Sequence, residues 1–176
     1  MAAEFVGRTD IRQVTQPEGT EWCFAAIVAA VAKHQPIDQV HQALVDSDIS
    51  DTNGYTKCPP EDREVQVTDG EMLKLEPFVG FNTEALMTAI NQRFKARKAV
   101  ALLHIKNDDE LDTRNHWTLL TGRYSIDGET QLVFLMDPLQ QHREVVEPSE
   151  VADMIERTID FNCGAYACAM SVEQAV

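Results

Sequence analysis

From Trp22 to Lys33 the chain reads WCFAAIVAAVAK, apolar at nearly every position, which is the pattern of a helix buried on most of its sides. Thr20 stands where an N-cap belongs, so a central helix is expected to start just before Cys23. Residues Met1 to Glu18 carry no clear period and close on a turn punctuated by Pro17 and Gly19. A second helix should begin near Pro36, with Ile37, Val40, Leu44 and Val45 on one stripe. A third should run from Asn82 or Thr83 to Arg97, with Leu86, Met87, Ile90 and Phe94 facing inward. Between these two, Asp46 to Val67 lacks periodicity and holds Asp51-Thr-Asn-Gly54 and Pro59-Pro60, so it reads as a long surface loop.

The period then changes. Ala99 to Ile105, His116 to Gly122 and Gln131 to Met136 are apolar runs of strand length. Asp127-Gly128, between the last two, is a strong hairpin signal and makes them antiparallel neighbours. His142 to Val146 adds a further strand, Ser149 caps a short helix with Val151, Met154 and Ile155 inward, and Gly164 to Val172 returns as a closing strand. The expected fold class is α+β, helices first and an antiparallel sheet afterwards, with the apolar central helix packed on the sheet.

Length and charge narrow the function. A chain of 176 residues, 44% hydrophobic, holds one core comfortably, so residues 1–176 read as a single domain. A formal net charge of -14 argues against nucleic acid as a partner, because neutralising phosphates needs clustered Lys and Arg. The start Met1-Ala-Ala-Glu-Phe lacks the basic and apolar segments of a secretory signal, and no apolar stretch reaches bilayer length. The chain is therefore expected to be made as a soluble cytoplasmic protein with no membrane partner. Cys23, Cys58, Cys163 and Cys168 form no CxxC pair, and five scattered His residues show no zinc spacing. No cofactor, metal or disulfide framework is expected; a Cys163 to Cys168 bridge would require export.

Candidate chemistry begins at Cys23. In the first turn of the central helix, unpaired N–H groups and the helix dipole favour a thiolate, the nucleophilic form of cysteine. By itself Cys23 reads more readily as one more small buried residue on an Ala-rich helix, since free Cys is among the most buried residue types. His116 opens its strand after the polar loop Asn107 to Arg114, and Asp137 ends the partner strand before Pro138. The hairpin sets the start of one strand beside the end of the other, so the His116 and Asp137 side chains can meet at one edge of the sheet. Asp108, Asp109 and Asp112 compete with Asp137 for His116, although their cluster reads more simply as a solvated loop. Gln16, on the turn before the helix, carries an amide able to stabilise an oxyanion together with the Cys23 N–H.

The order Gln16, then Trp22-Cys-Phe-Ala-Ala26, then His116-Trp-Thr-Leu-Leu-Thr-Gly122, then Met136-Asp-Pro-Leu139 resembles the papain-like cysteine peptidases. It is most similar to their compact bacterial branch, which includes bacteriocin-leader peptidases and certain secreted effector proteases. The resemblance runs from about Gln16 to Leu139. It implies a papain-like fold, with Cys23 as nucleophile, His116 as general base, Asp137 as the orienting residue and Gln16 in the oxyanion hole. The plant and lysosomal branch has a Gly-Ser pair beside its nucleophile and Asn as third member, where this chain has Glu21-Trp22 and Asp137. Asp46 to Pro77 matches no part of the family pattern. A protein or peptide substrate is the implied partner, and the likeness admits a role as an effector or toxin delivered into another cell. The same residues would equally serve an amidase or acyltransferase acting, for example, on cell-wall peptides, and the fold would serve a module that binds peptides without cleaving them.

Overall fold

The computed structural model describes residues 1–32, 36–58, 61–68, 70–107 and 113–174. In chain order, the elements among them are β1 (Ala3–Gly7), α1 (Cys23–Val31), α2 (Ile37–Asp46), β2 (Arg63–Thr68), β3 (Glu71–Gly80) and α3 (Thr83–Lys95). There follow β4 (Ala99–Asn107), β5 (Thr113–Ile126), β6 (Glu129–Met136), β7 (Glu144–Val146), α4 (Pro148–Asn162) and β8 (Ala165–Gln174).

β4 shows why its sequence is an almost unbroken apolar run rather than an alternating one. Ala99 and Ala101 join a core beneath α1 and α2, whereas Val100 and Leu102 join a second core beneath α3 and α4. A strand covered on both faces has no polar side to show. The sheet runs β2-β3-β8-β4-β5-β6-β7, every pairing antiparallel, and β1 pairs with β5 off this path. β5 is long enough to take β4 along Thr113 to Leu120 and β1 along Gly122 to Ile126. The architecture is α+β, two helical layers around a mixed-order antiparallel sheet. No helix among the described residues is long and apolar enough to cross a membrane.

α1 is buried along its whole length, as its all-apolar sequence requires. Thr20 is not its cap: the Thr20 hydroxyl donates to the Pro17 carbonyl at 2.7 Å, and Trp22 holds the N-cap position without a side-chain bond. The first turn of α1 thus keeps N–H groups that no side chain satisfies. α2 buries Val40, His41 and Leu44, with Val45 only partly covered, and Asn82 caps α3 by accepting from the Ala85 N–H at 3.0 Å. Asp127 (φ 50°) and Gly128 (φ 87°) both take the left-handed conformation that a two-residue hairpin turn demands.

Three strands lie outside the segments expected to be strands. β1 shows only exposed and half-buried positions, so hydrophobic alternation could not reveal it within Met1 to Glu18. β2 and β3 form a hairpin inside and beyond the expected Asp46 to Val67 loop, with Val65, Val67, Leu73 and Leu75 inward. Pro77 disguises β3, but it falls past the end of the β2 pairing, where a missing N–H leaves no ladder bond broken. Strands therefore precede and separate the helices, correcting the helices-first order. α4 is a 15-residue helix rather than a short one, and its cap is Glu147, paired with Glu150 in a capping box, not Ser149. β8 does not close the sheet at an edge. It sits between β3 and β4, near the middle.

Candidate active site

Cys23 is the first residue of α1 and is 9% exposed. Its neighbour Phe24 packs on Trp117 of β5, ring centroids 4.9 Å apart, which draws the start of α1 against the strand segment that carries His116. His116 is the fourth residue of β5 rather than its opener. The β5–β6 register starts at Ile126↔Glu129, shifts by one at Tyr124↔Leu132, and shifts back by Leu120↔Leu135 and Leu119↔Met136. The two irregularities cancel, so the turn still decides which residues face each other. One step further, Asp137 comes level with Thr118, on the same face as His116 and diagonal to it. Long side chains span such a diagonal. The His116 Nε2–H donates to Asp137 Oδ1 at 2.7 Å.

Asp137 is held from two other directions. The Leu139 N–H donates to the same Oδ1 at 2.9 Å, and the Lys106 ammonium stands 3.6 Å from Oδ2. Burial works against the ionised carboxylate, but the hydrogen bonds from His116 and Leu139 and the charges of His116 and Lys106 outweigh it, bringing its pKa down to about 2. Burial likewise opposes the imidazolium of His116. Hydrogen bonds with Asp137 and Cys23 and the charges of both override it, raising the His116 pKa to about 9. Because Nε2 is occupied by Asp137, Nδ1 is the ring nitrogen left for Cys23. One imidazole thus joins the thiol to the carboxylate.

Gln16 is sewn to the same place through the segment that precedes α1. Its backbone N–H donates to the Pro138 carbonyl at 2.9 Å, and the Gln13 amide donates to the carbonyls of Asp137 and Gln140, each at 2.9 Å. The turn that carries Asp137 and the loop that leads to Cys23 are therefore one hydrogen-bonded unit. The Gln16 side-chain Nε2 donates to Thr20 O at 2.5 Å, which leaves a second N–H, while its buried Oε1 has no partner. On the other side, Gly54 (φ 102°) presses its backbone on Trp22, where a Cβ would come within 2.6 Å of the indole. Trp22 stacks on His41 at 4.2 Å. The loop before β2 is thus packed over the residue that precedes Cys23, tied by three N–H groups donating to Asp51 Oδ1.

The remaining cysteines lack this setting. All four are free, so Cys163 and Cys168 are not bridged. Burial pushes the Cys168 thiol up to about 12, which keeps it protonated, and Cys58 and Cys163 lie exposed. No group of three His, Cys, Asp or Glu side chains among the described residues could hold a metal ion. Asp108, Asp109 and Asp112, the rival carboxylates, lie outside the described residues.

Two neighbours escaped the sequence. His104 and Lys106 sit on β4 within or just after the apolar run, on the face that meets His116 and Asp137. Only the β4–β5 register reveals them. A cavity of about 630 Å³ behind Asp137 is lined by His104, Lys106 and Thr118 together with α4 side chains, and by neither Cys23 nor His116. A thiol, an imidazole and a carboxylate in this order are the groups that nucleophilic acyl transfer uses. Comparison with protein-family models and with curated proteins finds no match for this chain.

Proposed function

We propose that the protein is a papain-like cysteine hydrolase that cleaves a peptide or isopeptide bond. The observation that carries this reading is the His116 imidazole, which donates to Asp137 at 2.7 Å and is made more basic by both Asp137 and Cys23. With a His116 pKa raised to about 9, the imidazolium prevails at neutral pH, and a cation beside a thiol favours the nucleophilic thiolate form. The Cys23 sulfur attacks the carbonyl carbon, and the tetrahedral oxyanion is received by the Cys23 N–H and the Gln16 amide. His116 gives its Nδ1 proton to the leaving amine as the C–N bond breaks. It then takes a proton from water, whose oxygen displaces the thiolate from the thioester. Asp137 holds Nε2–H throughout, which leaves Nδ1 to do the transfer.

Gln16→Ala should lower kcat by roughly ten- to a thousandfold with a smaller change in KM, because an oxyanion donor acts mainly in the transition state. Steady-state kinetics would read it, and a rise in KM alone would make Gln16 a substrate-binding residue. The substrate class is tested by exposing a cell lysate to the wild-type protein and to Cys23→Ala and mapping new protein N-termini. Casein, isopeptide-linked ubiquitin-like conjugates and peptidoglycan are assayed alongside. Cleavage confined to peptidoglycan would replace the peptidase by an amidase with the same triad, and no cleavage of any kind would favour a binding module.

A further inference from the structure

His104 is a buried titratable side chain that the proposed chemistry does not use. It lies across from His116 in the β4–β5 register and is 6% exposed. Its ring stands at 83° to that of His116, with the centroids 5.6 Å apart. Two contacts set its orientation: Nε2 lies 2.9 Å from Thr118 Oγ1, and Nδ1 makes a longer approach, 3.4 Å, to the Ile105 carbonyl. A carbonyl only accepts, so Nδ1 carries the proton and Nε2 accepts from the Thr118 hydroxyl. This is a neutral ring in one tautomer.

We propose that His104 is a positioning residue whose perpendicular ring braces the His116 imidazole in the orientation that joins Cys23 to Asp137. The proposal rests on the hydrolase reading of the site. The bond to Asp137 fixes the His116 ring only at Nε2, which leaves the ring free to tilt within the play of its torsions. Packing against another side of the ring removes that freedom. A reacting group displaced by about 1 Å can lose on the order of a hundredfold in rate, so a brace of this kind has a measurable effect.

The brace works only while it is uncharged, since a second cation 5.6 Å away would oppose the imidazolium of His116. Burial first, then the charge of His116, lowers the His104 pKa to about 4, against a rise from the Ile105 carbonyl and from Asp137. Lys106 of β4 also lowers it. The other charged groups beside it line the shared cavity: Glu144 of β7 and, on α4, Glu150, Asp153, Glu156, Arg157 and Asp160. None of these is close enough to His104 to make a hydrogen bond with it.

The test uses full-length His104→Ala, His104→Phe and His104→Gln, with His116→Ala as control, and needs no substrate. The rate of iodoacetamide capture is read at each cysteine by peptide mass at pH 6.5. His104→Ala should slow capture at Cys23 about tenfold. His104→Phe, which restores a ring, should recover it to within about threefold. Capture at the exposed Cys58 and Cys163 should be unchanged in both. Wild-type capture at Cys23 in His104→Ala would overturn the proposal, and so would equal losses in the Ala and Phe variants, which would mean that the ring itself does not matter. If His104→Ala unfolds, capture at the buried Cys168 rises, and the decision passes to His104→Gln, which keeps a bond to Thr118 without the ring. Wild-type capture there overturns the brace, and slowed capture supports it. A chain that cleaves nothing yet follows this pattern would sink the hydrolase reading alone, whereas a Cys23 rate indifferent to His116→Ala would sink the site on which both rest.

Discussion

Cys23→Ala should abolish activity, by about 10⁴-fold or more in kcat, while the fold survives. Alanine is the best helix former, and the position is already part of the Ala-rich, fully buried α1, so replacing the thiol by a methyl should change stability by less than about 2 kcal/mol. The loss of rate follows from the chemistry: without sulfur no thioester forms, and the oxyanion donors act on nothing. His116→Ala should be as severe, and in addition should slow alkylation of Cys23 near neutral pH, because the imidazolium that stabilises the thiolate is gone. Turnover of a substrate identified from the lysate, read with thermal melts of the variants, checks both. Wild-type turnover by Cys23→Ala would end the hydrolase reading outright.

Asp137 should separate charge from orientation. Asn keeps an oxygen for the His116 Nε2–H but removes the negative charge, so Asp137→Asn should retain partial activity, whereas Asp137→Ala should lose more. The sign of the pH effect follows from the charges. His116 loses its proton at about 9 in the folded chain, so the alkaline limb of kcat/KM should lie near that pH and move to lower pH in Asp137→Asn. Stability is linked in the same way. The raised His116 value, about 9 against an ordinary 6.5, gives stability that is complete below 6.5 and lost as pH rises through 9. The depressed Asp137 value, about 2 against 3.8, gives stability that is complete above 3.8 and lost as pH falls through 2. His104 works against the acid side: held at about 4 against 6.5, it subtracts stability as pH falls from 6.5 toward 4. Melting temperatures should therefore peak around pH 6 to 7, and Asp137→Asn should flatten the alkaline decline. An Asp137→Ala variant with unaltered kcat and pH profile would remove Asp137 from the site and return attention to Asp108, Asp109 and Asp112.

Wherever burial and turn chemistry are local properties, the sequence alone determined the outcome. The apolar run after Trp22 specified α1, because a helix apolar all round has to be buried all round. Asp127-Gly128 specified the β5–β6 hairpin, since the left-handed turn suits those two residues, and with it the approach of Asp137 to His116. Leu86, Ile90 and Phe94 on α3 were likewise legible from a 3.6-residue period. What the sequence left undecided was every pairing between segments distant in the chain. β1 exists because β5 is long enough to offer it an edge, and its own residues carry no alternation that announces a strand. β3 tolerates Pro77 because β2 ends before it, a fact of register and not of composition. β8 lies near the middle of the sheet, between strands that precede it by some sixty and ninety residues, and its side chains enter both cores. The same holds for the candidate site: Cys23, His116, Asp137 and Gln16 could be named from residue type and local position, but His104 and Lys106 could not. A histidine inside an apolar strand acquires meaning only when a neighbouring strand sets another imidazole across from it, and that register is a matter of strand pairing that no residue of β4 announces.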